Sequence, residues 1–443
     1  MTDAPAGPVS TAVPVDGSDG APVETDEAIV VRRPGRRRKE QRRLALAQGV
    51  VVALLVVGLV ALGAAGYRSA LRITGGGRDT VTDPALPGYT AEVRPTPVDL
   101  VAFTSPEGRL TAAALVVGGP GGKGGTLVPV PSTLALWNYE DSPPASAFDV
   151  FADGGIDALR ARLGSELTFG LTGASTVPSS ALRVLAQAAG PVTVELSEPV
   201  LEGSTDADQQ VKYPAGTITF DPVGFEEFVT FAGYREPEVN RVLRSQQAWA
   251  VLLRQLGAEL PGASATEGTS TTLVGTTAPG VPELGESAGS GEPPFQEVLG
   301  ALLAGEVRFD GLPLERLPLN NIERAVLYRV DQAAMPKWVP QVVPFPTSAF
   351  PGQRAKVRLL RGTPDKGVLR AVSPKVVEAG GEVTAVGNAR SFDLATSQVR
   401  YQNPDAKDAA TVIAELLGAQ VEATPEDLGD VDVEVVVGSD LAG

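Results

Sequence analysis

The 443-residue sequence contains no histidine and no cysteine, and only 5% of it is aromatic. Without imidazole there is no Ser-His-Asp triad, no histidine-ligated metal and no histidine base. Without thiols there is no thiolate nucleophile, disulfide, zinc ribbon or iron–sulfur site. Chemistry has to run on carboxylates, Arg, Lys, Ser/Thr or Tyr, with a hard cation on oxygen ligands as the remaining metal option. Few rings mean cores of Val, Leu and Ala, which the 43% apolar share can supply over two or three domains. Positive charge is scarce as well: 37 Lys+Arg stand against 53 Asp+Glu, a net of −16, which argues against nucleic acid as a partner.

What positive charge there is clusters. Eight of the basic residues lie between Arg32 and Arg43, and everything after Arg43 carries a net of about −17. Directly behind the cluster, Leu44 to Tyr67 is 24 residues without a charge. At ~1.5 Å per residue such a helix is ~36 Å long, enough to cross a hydrocarbon core of ~30 Å. It is too long for a signal-peptide apolar region and starts too far into the chain, with only Ala64-Ala65-Gly66 as a weak cleavage pattern. The stretch 44–67 is therefore expected to be an uncleaved signal anchor. The basic run would hold the N-terminus in the cytoplasm, against anionic membrane lipid, and the rest outside. Residues 1–43 read as a disordered tail bearing the basic cluster, and 68–93 as a stalk.

Beyond the stalk, strand-like and helix-like segments alternate. Leu110–Gly118 and Thr126–Val130 read as strands joined by the glycine-rich loop from Gly119 to Gly125. That loop contains G-x-G-x-x-G at Gly119, Gly121 and Gly124, but a strand pattern follows it where a pyrophosphate site needs a helix N-terminus, so it reads as a flexible turn. Ile156–Leu163, Ser179–Ala189 and Gly224–Ala232 have helical periods, and Leu167–Thr172 and Val192–Leu196 look like strands. A helix is expected from Pro237 to Gly257, burying Val239, Val242, Leu243, Trp249, Leu253 and Leu256. This leaves Arg241 and Arg244 one turn apart on a flank, where they could converge on one anion. The plainer alternative is a solvated face on which Glu238 pairs with Arg241 at i,i+3. Residues 262–294 form a Gly/Ser/Thr/Glu/Pro insertion, and 354–443 alternate as β-α-β-β-α-β, a split-βαβ pattern.

The last ninety residues carry a recognisable series: Ala355–Leu360 with Arg361-Gly362-Thr363, then Asn388-Ala389-Arg390, Val399-Arg400-Tyr401 and Val437-Gly438-Ser439. Upstream, Gly154-Gly155-Ile156 sits at a helix start, and Glu238, Arg241, Arg244, Gln246 and Gln247 approximate an Asp-x-x-Arg-x-x-Arg-Gln-Gln helix. On these residues the sequence resembles the LytR-CpsA-Psr (LCP) cell-envelope proteins followed by a LytR C-terminal domain. The resemblance implies an α/β fold: one transmembrane helix, an LCP-like domain over 94–350 with a central sheet flanked by helices, and a small βαββαβ domain over 354–443.

In that family, arginines grip the diphosphate of a polyprenyl-linked glycopolymer, carboxylates position Mg2+, and the polymer is ligated to the cell wall. The resemblance makes Arg241, Arg244, Gln247, Arg235 and Arg109 candidate phosphate or lipid ligands, and Glu238, Arg241 and Arg244 candidate catalytic residues. It implies membrane lipid, a polyprenyl-phosphate-linked glycopolymer and peptidoglycan as partners. The family's Pro-Arg-Asp triplet, however, is Pro131-Ser132-Thr133 here, and an acidic residue near the first strand is replaced at Thr111 or Ala112. Losing a forked phosphate ligand and a metal-linked carboxylate favours a protein that binds without catalysing, and Mg2+ is expected only in an active enzyme. The alternatives are an active phosphotransferase and a non-enzymatic envelope interaction or regulatory protein.

Overall fold

A computed structural model describes residues 81–137, 143–258, 260, 287–288, 294–317 and 326–442. The expected tail, the apolar stretch 44–67, stalk residues 68–80 and nearly all of the 262–294 insertion lie outside the described residues. Among the described residues, no helix is long and apolar enough to cross a membrane.

After a short strand β1 (Thr90–Glu92), the chain builds a six-stranded mixed sheet from β2 (Val98–Thr104), β3 (Leu110–Gly118), β4 (Gly125–Val130), β5 (Gly173–Pro178), β8 (Ser287–Ala288) and β9 (Val307–Phe309). Its order is β8-β5-β2-β3-β4-β9, with β2-β3-β4 an antiparallel meander and β5 and β9 parallel to β2 and β4. The strand β2 is buried on both faces, as the alternation of Leu100 and Ala102 with Val101 and Phe103 shows. One face packs on helix α1 (Ala147–Leu167). The other packs on α2 (Ser180–Ala189), α3 (Pro222–Thr230), α4 (Glu238–Gln255) and α5 (Phe295–Leu303). A two-stranded ribbon of β6 (Val192–Leu196) and β7 (Gly216–Phe220) lies beside these helices.

Helix α1 starts nine residues before the expected Ile156. Ser146 caps it, accepting from Asp149 N while Asp149 reaches back to the Ser146 N–H. Gly155 then interrupts the helix at φ +67°, a conformation glycine adopts without cost, and the element resumes at Ile156. The strand expected at Leu167–Thr172 is not formed. Leu163 and Leu167 instead continue the buried stripe of α1, and the chain leaves through Thr168 at φ +60° before β5 begins at Gly173.

The glycine-rich loop is a backbone docking point. Gly124 N donates to Ala301 O at 2.9 Å and Gly125 N to Glu306 O at 2.9 Å, which sets β9 alongside β4. A Cβ on Gly124, at φ +65°, would lie 2.3 Å from Glu306 O. Gly124→Ala is therefore expected to cost about 2 kcal/mol, from left-handed strain and the displaced 301–306 turn, read as a lower urea midpoint at unchanged m-value.

The C-terminal sheet departs from the expected pattern. Its elements are β10 (Ala355–Arg361), α7 (Val368–Glu378), β11 (Gly381–Asn388), β12 (Gln398–Tyr401), α8 (Lys407–Leu417), β13 (Gln420–Ala423) and β14 (Val433–Val437). A split-βαβ fold separates the parallel partners of each unit by another strand. Here β10 pairs directly with β11, and β12 directly with β13, both in parallel. An additional strand, β13, therefore follows α8, because Gln420–Ala423 extends beside β12 although all four of its residues are exposed. At the opposite edge, β1 pairs antiparallel with β11, so the last residues of the span read as stalk belong to this sheet.

The two sheets share one core. Helix α6 (Met335–Val342) packs on α7, and Met335 and Val339 join Val372, Val376 and the α1 leucines in a single cluster. Arg354 fastens the junction, donating from Nε to Thr168 O (2.9 Å) and from one terminal nitrogen to Val377 O and Gly381 O. Burial pulls its pKa down to about 10, partly offset by Glu382, so it remains a cation at neutral pH.

Candidate functional site

Helix α4 crosses the sheet with Ala248, Trp249, Leu252 and Leu253 buried. Following this stripe toward the N-terminus in steps of three and four leads to Arg244 and Arg241, which are only 5% and 7% exposed. Val239 and Leu243, expected inside, are 42% and 53% exposed. The arginines therefore occupy the inward face while Val239 and Leu243 face water, contrary to expectation, and Val242 is partly buried against the cavity beside Arg241.

Each guanidinium has its own glutamate. Arg241 forks onto Glu238, with Nε 2.9 Å from Oε2 and Nη2 on Oε1, and also donates to Ser132 Oγ (3.2 Å) and Thr111 O (3.3 Å). Glu238 Oε1 additionally accepts from Ser132 N (2.9 Å) and Oγ (3.2 Å). Burial alone would push this carboxyl up, but the Arg241 fork and the Ser132 donors outweigh it and hold Glu238 below its usual pKa. Arg244 forks onto Glu236 with two 2.9 Å bonds, gives two further donors to Phe228 O and Phe231 O, and lies 4.7 Å over the Phe228 ring. The two arginines thus do not converge on a shared anion. Serine at position 132 completes this closed arrangement by bonding to both members of the Arg241 pair.

The other candidates are dispersed. Arg235, at φ +52°, is exposed and pairs with Asp206 at 2.8 Å. With Gln247, Asn240 and Arg244 it lines an open cleft of about 380 Å³ on the outer flank of α4. Arg109 sits in the exposed β2–β3 turn, 3.9 Å from Glu107. Gln246 donates to Asp310 O at 3.2 Å. Among the described residues, no three acidic side chains gather as metal ligands. Glu236 and Glu238 each give both carboxylate oxygens to an arginine, so this donor set does not fit Mg2+.

Beside Arg241, between α4 and the sheet, lies an apolar cavity walled by Phe103, Ala112, Leu127, Val130 and Trp249, with about 30 Å³ of free space. A second of about 20 Å³ continues it toward α5, along Leu253, Phe295 and Leu299. Phe103, Ala114, Leu127 and Trp249 border both, and the Phe103 and Trp249 rings stand 5.7 Å apart. The site chemistry is therefore an apolar slot rimmed by a neutralised arginine. Glu236 and the carbonyls of Phe228 and Phe231 were invisible in the sequence pattern, since they reach Arg244 through the turn between α3 and α4.

Residues 354–441 match the LytR C-terminal family model, described as LytR cell envelope-related transcriptional attenuator. No curated protein sequence matches the chain. Among solved structures, Bacillus subtilis TagT is similar at 12% identity and a TM-score of 0.38, over 60% of this chain and 93% of that one. Bacillus subtilis TagV shows 11% identity and a TM-score of 0.40, over 56% and 96%. A structure described as the LytR-CPS2A-psr family protein YwtF (TagT) with bound octaprenyl pyrophosphate lipid shows 12% identity and a TM-score of 0.37, over 60% and 95%. The segment 354–441 thus matches the LytR C-terminal family that its sequence motifs resemble.

Proposed function

We propose that the chain is a membrane-anchored, extracytoplasmic LCP-like envelope protein that holds a polyprenyl-phosphate lipid or its glycopolymer along α4 without transferring it. The observation that carries this is the pairing of Arg241 with Glu238 and Ser132 at the rim of an apolar slot. An aliphatic tail entering the slot gains burial, while a phosphate must compete with an internal carboxylate for the Arg241 fork. With Arg241 and Arg244 already neutralised, little charge is left to stabilise a phosphoryl transition state. The cell-envelope description of the family matched by residues 354–441 supports the compartment, as do the uncharged 44–67 stretch and its basic flank.

The test is a titration of full-chain protein in detergent with a fluorescent polyprenyl diphosphate and with the matching polyprenyl alcohol. Saturable binding of both, weakened only a few-fold when the diphosphate is removed, is expected. Absence of binding would favour a purely protein-binding envelope role. Protease added to intact cells should remove the C-terminal domain, and a protected C-terminus would contradict the topology.

A further inference from the structure

A third buried cation on a cavity lies in the C-terminal domain. Arg361, the last residue of β10, is 7% exposed and, among the described residues, has no carboxylate within ion-pair distance. Its neighbours are neutral: Nε and Nη2 donate to Asn388 Oδ1 at 3.1 and 3.0 Å, Nη1 donates to Pro364 O at 3.3 Å, and the Phe392 ring lies 4.6 Å from the guanidinium carbon. Asn388 is itself fixed, donating to Pro84 O and Leu86 O at 2.9 and 2.7 Å. These bonds occupy three of the five N–H groups of the guanidinium fork. The side chain lines a cleft of about 410 Å³, together with Lys366, Tyr89, Leu369 and one carboxylate, Asp83.

A buried guanidinium without a counter-charge is costly, and every other buried arginine of the fold meets its cost differently. Arg241 and Arg244 have glutamates, and Arg354 has three carbonyls and Glu382 nearby. Arg361 has donors to spare, and an ammonium, Lys366, lines the same cleft. Helix α7 begins there as well, with Leu369 in the wall, and the Gly367 N–H at its start donates to Asp365 Oδ1 at 2.8 Å. Donors approaching from a strand end and from the loop after it suit a tetrahedral oxyanion better than a planar carboxylate.

We propose that this cleft binds a phosphoryl group carried on an organic molecule. The phosphate accepts from the free edge of Arg361 and from Lys366, and the organic part occupies the rest of the cleft against Tyr89 and Leu369, whose walls are in the size range of small-molecule sites. Two sources share that chemistry, a small polyol or sugar phosphate and a phosphodiester-linked polymer. The assignment is independent of any lipid held at α4.

Full-chain protein is titrated calorimetrically with inorganic phosphate, glycerol 3-phosphate and a short poly(glycerol phosphate). Binding of the glycerol phosphates is expected to weaken about tenfold in Lys366→Gln, and further in Arg361→Lys, which keeps the charge and loses the fork. Asp83→Asn, at an exposed residue, should tighten it. Polymer binding well above monomer would identify a chain-borne phosphate; equal binding would identify a small molecule. If no phosphate probe binds, or if binding survives Lys366→Gln and disappears in Arg241→Ala, the proposal is overturned. The lipid titration at α4 should be unchanged by Lys366→Gln, which separates a failure here from a failure there.

Discussion

Glu238→Gln is expected to remove about 3–5 kcal/mol of folding stability, because it leaves Arg241 charged and buried without a counter-ion. Ser132 Oγ and Thr111 O remain as acceptors, but neither carries charge. The double variant Glu238→Leu with Arg241→Met should recover most of the loss, since removing both ions also removes both desolvation costs. The pair has a pH signature with a definite sign. The folded carboxyl is depressed, so the unfolded state takes up protons first as pH falls. The stabilisation is fully present above about pH 4.3, the ordinary glutamate value, and is lost as pH falls below it through the lower folded value. Urea melts of wild type and Glu238→Gln at pH 7 and pH 3.5 should therefore show a gap that narrows toward the acid end. Parallel curves would mean that the pair contributes nothing specific.

Trp249→Ala carries the second large effect, about 3–5 kcal/mol. The indole is 7% exposed, packs on Phe103, and forms a wall between the two small cavities under α4. Truncation should merge them into one apolar slot reaching from Arg241 toward Leu299, and a dry slot of that kind takes up apolar guests. The variant should accordingly be rescued by long-chain alcohols in proportion to concentration, where wild type gains much less. A Trp249→Ala protein that is neither destabilised nor rescued would mean that the wall collapses and that no tail-sized space lies latent there. At about 30 and 20 Å³, the wild-type cavities hold no lipid tail as they stand, so lipid entry has to displace Phe103 or Trp249.

Local pattern disclosed the elements better than their neighbours. Leu110–Gly118 and Val192–Leu196 read off the sequence with their observed bounds, because β-alternation is a property of the segment alone. The glycine-rich loop was correctly a turn, but that it clasps the 301–306 backbone follows only from β9 arriving beside β4, nearly 180 residues later. The C-terminal domain was recognisable from its motifs, while its pairing was not. An exposed strand such as Gln420–Ala423 carries no hydrophobic alternation to announce it.

The inverted face of α4 has the same origin. Hydrophobicity assigns Val239 and Leu243 to the inside, yet the helix phase set by Ala248 and Leu252 puts Arg244 and Arg241 there. Burial of those cations is tolerable because Glu238 and Glu236 pair with them and Ser132 and the Phe228 and Phe231 carbonyls take further donors. The i,i+3 pair of Glu238 with Arg241 was legible, but its weight was not. On a solvated helix it is worth about 0.3–0.5 kcal/mol, and at 9–10% side-chain exposure it becomes a keystone.

The most direct test of the account is a single-turnover assay. Full-chain protein in detergent is mixed with a polyprenyl diphosphate-linked saccharide, Mg2+ and cell-wall acceptor, and both bound lipid and released polyprenyl phosphate are measured. Lipid that is bound and stays intact is the expected result. Release of polyprenyl phosphate that depends on Mg2+ and disappears in Arg241→Ala would contradict it.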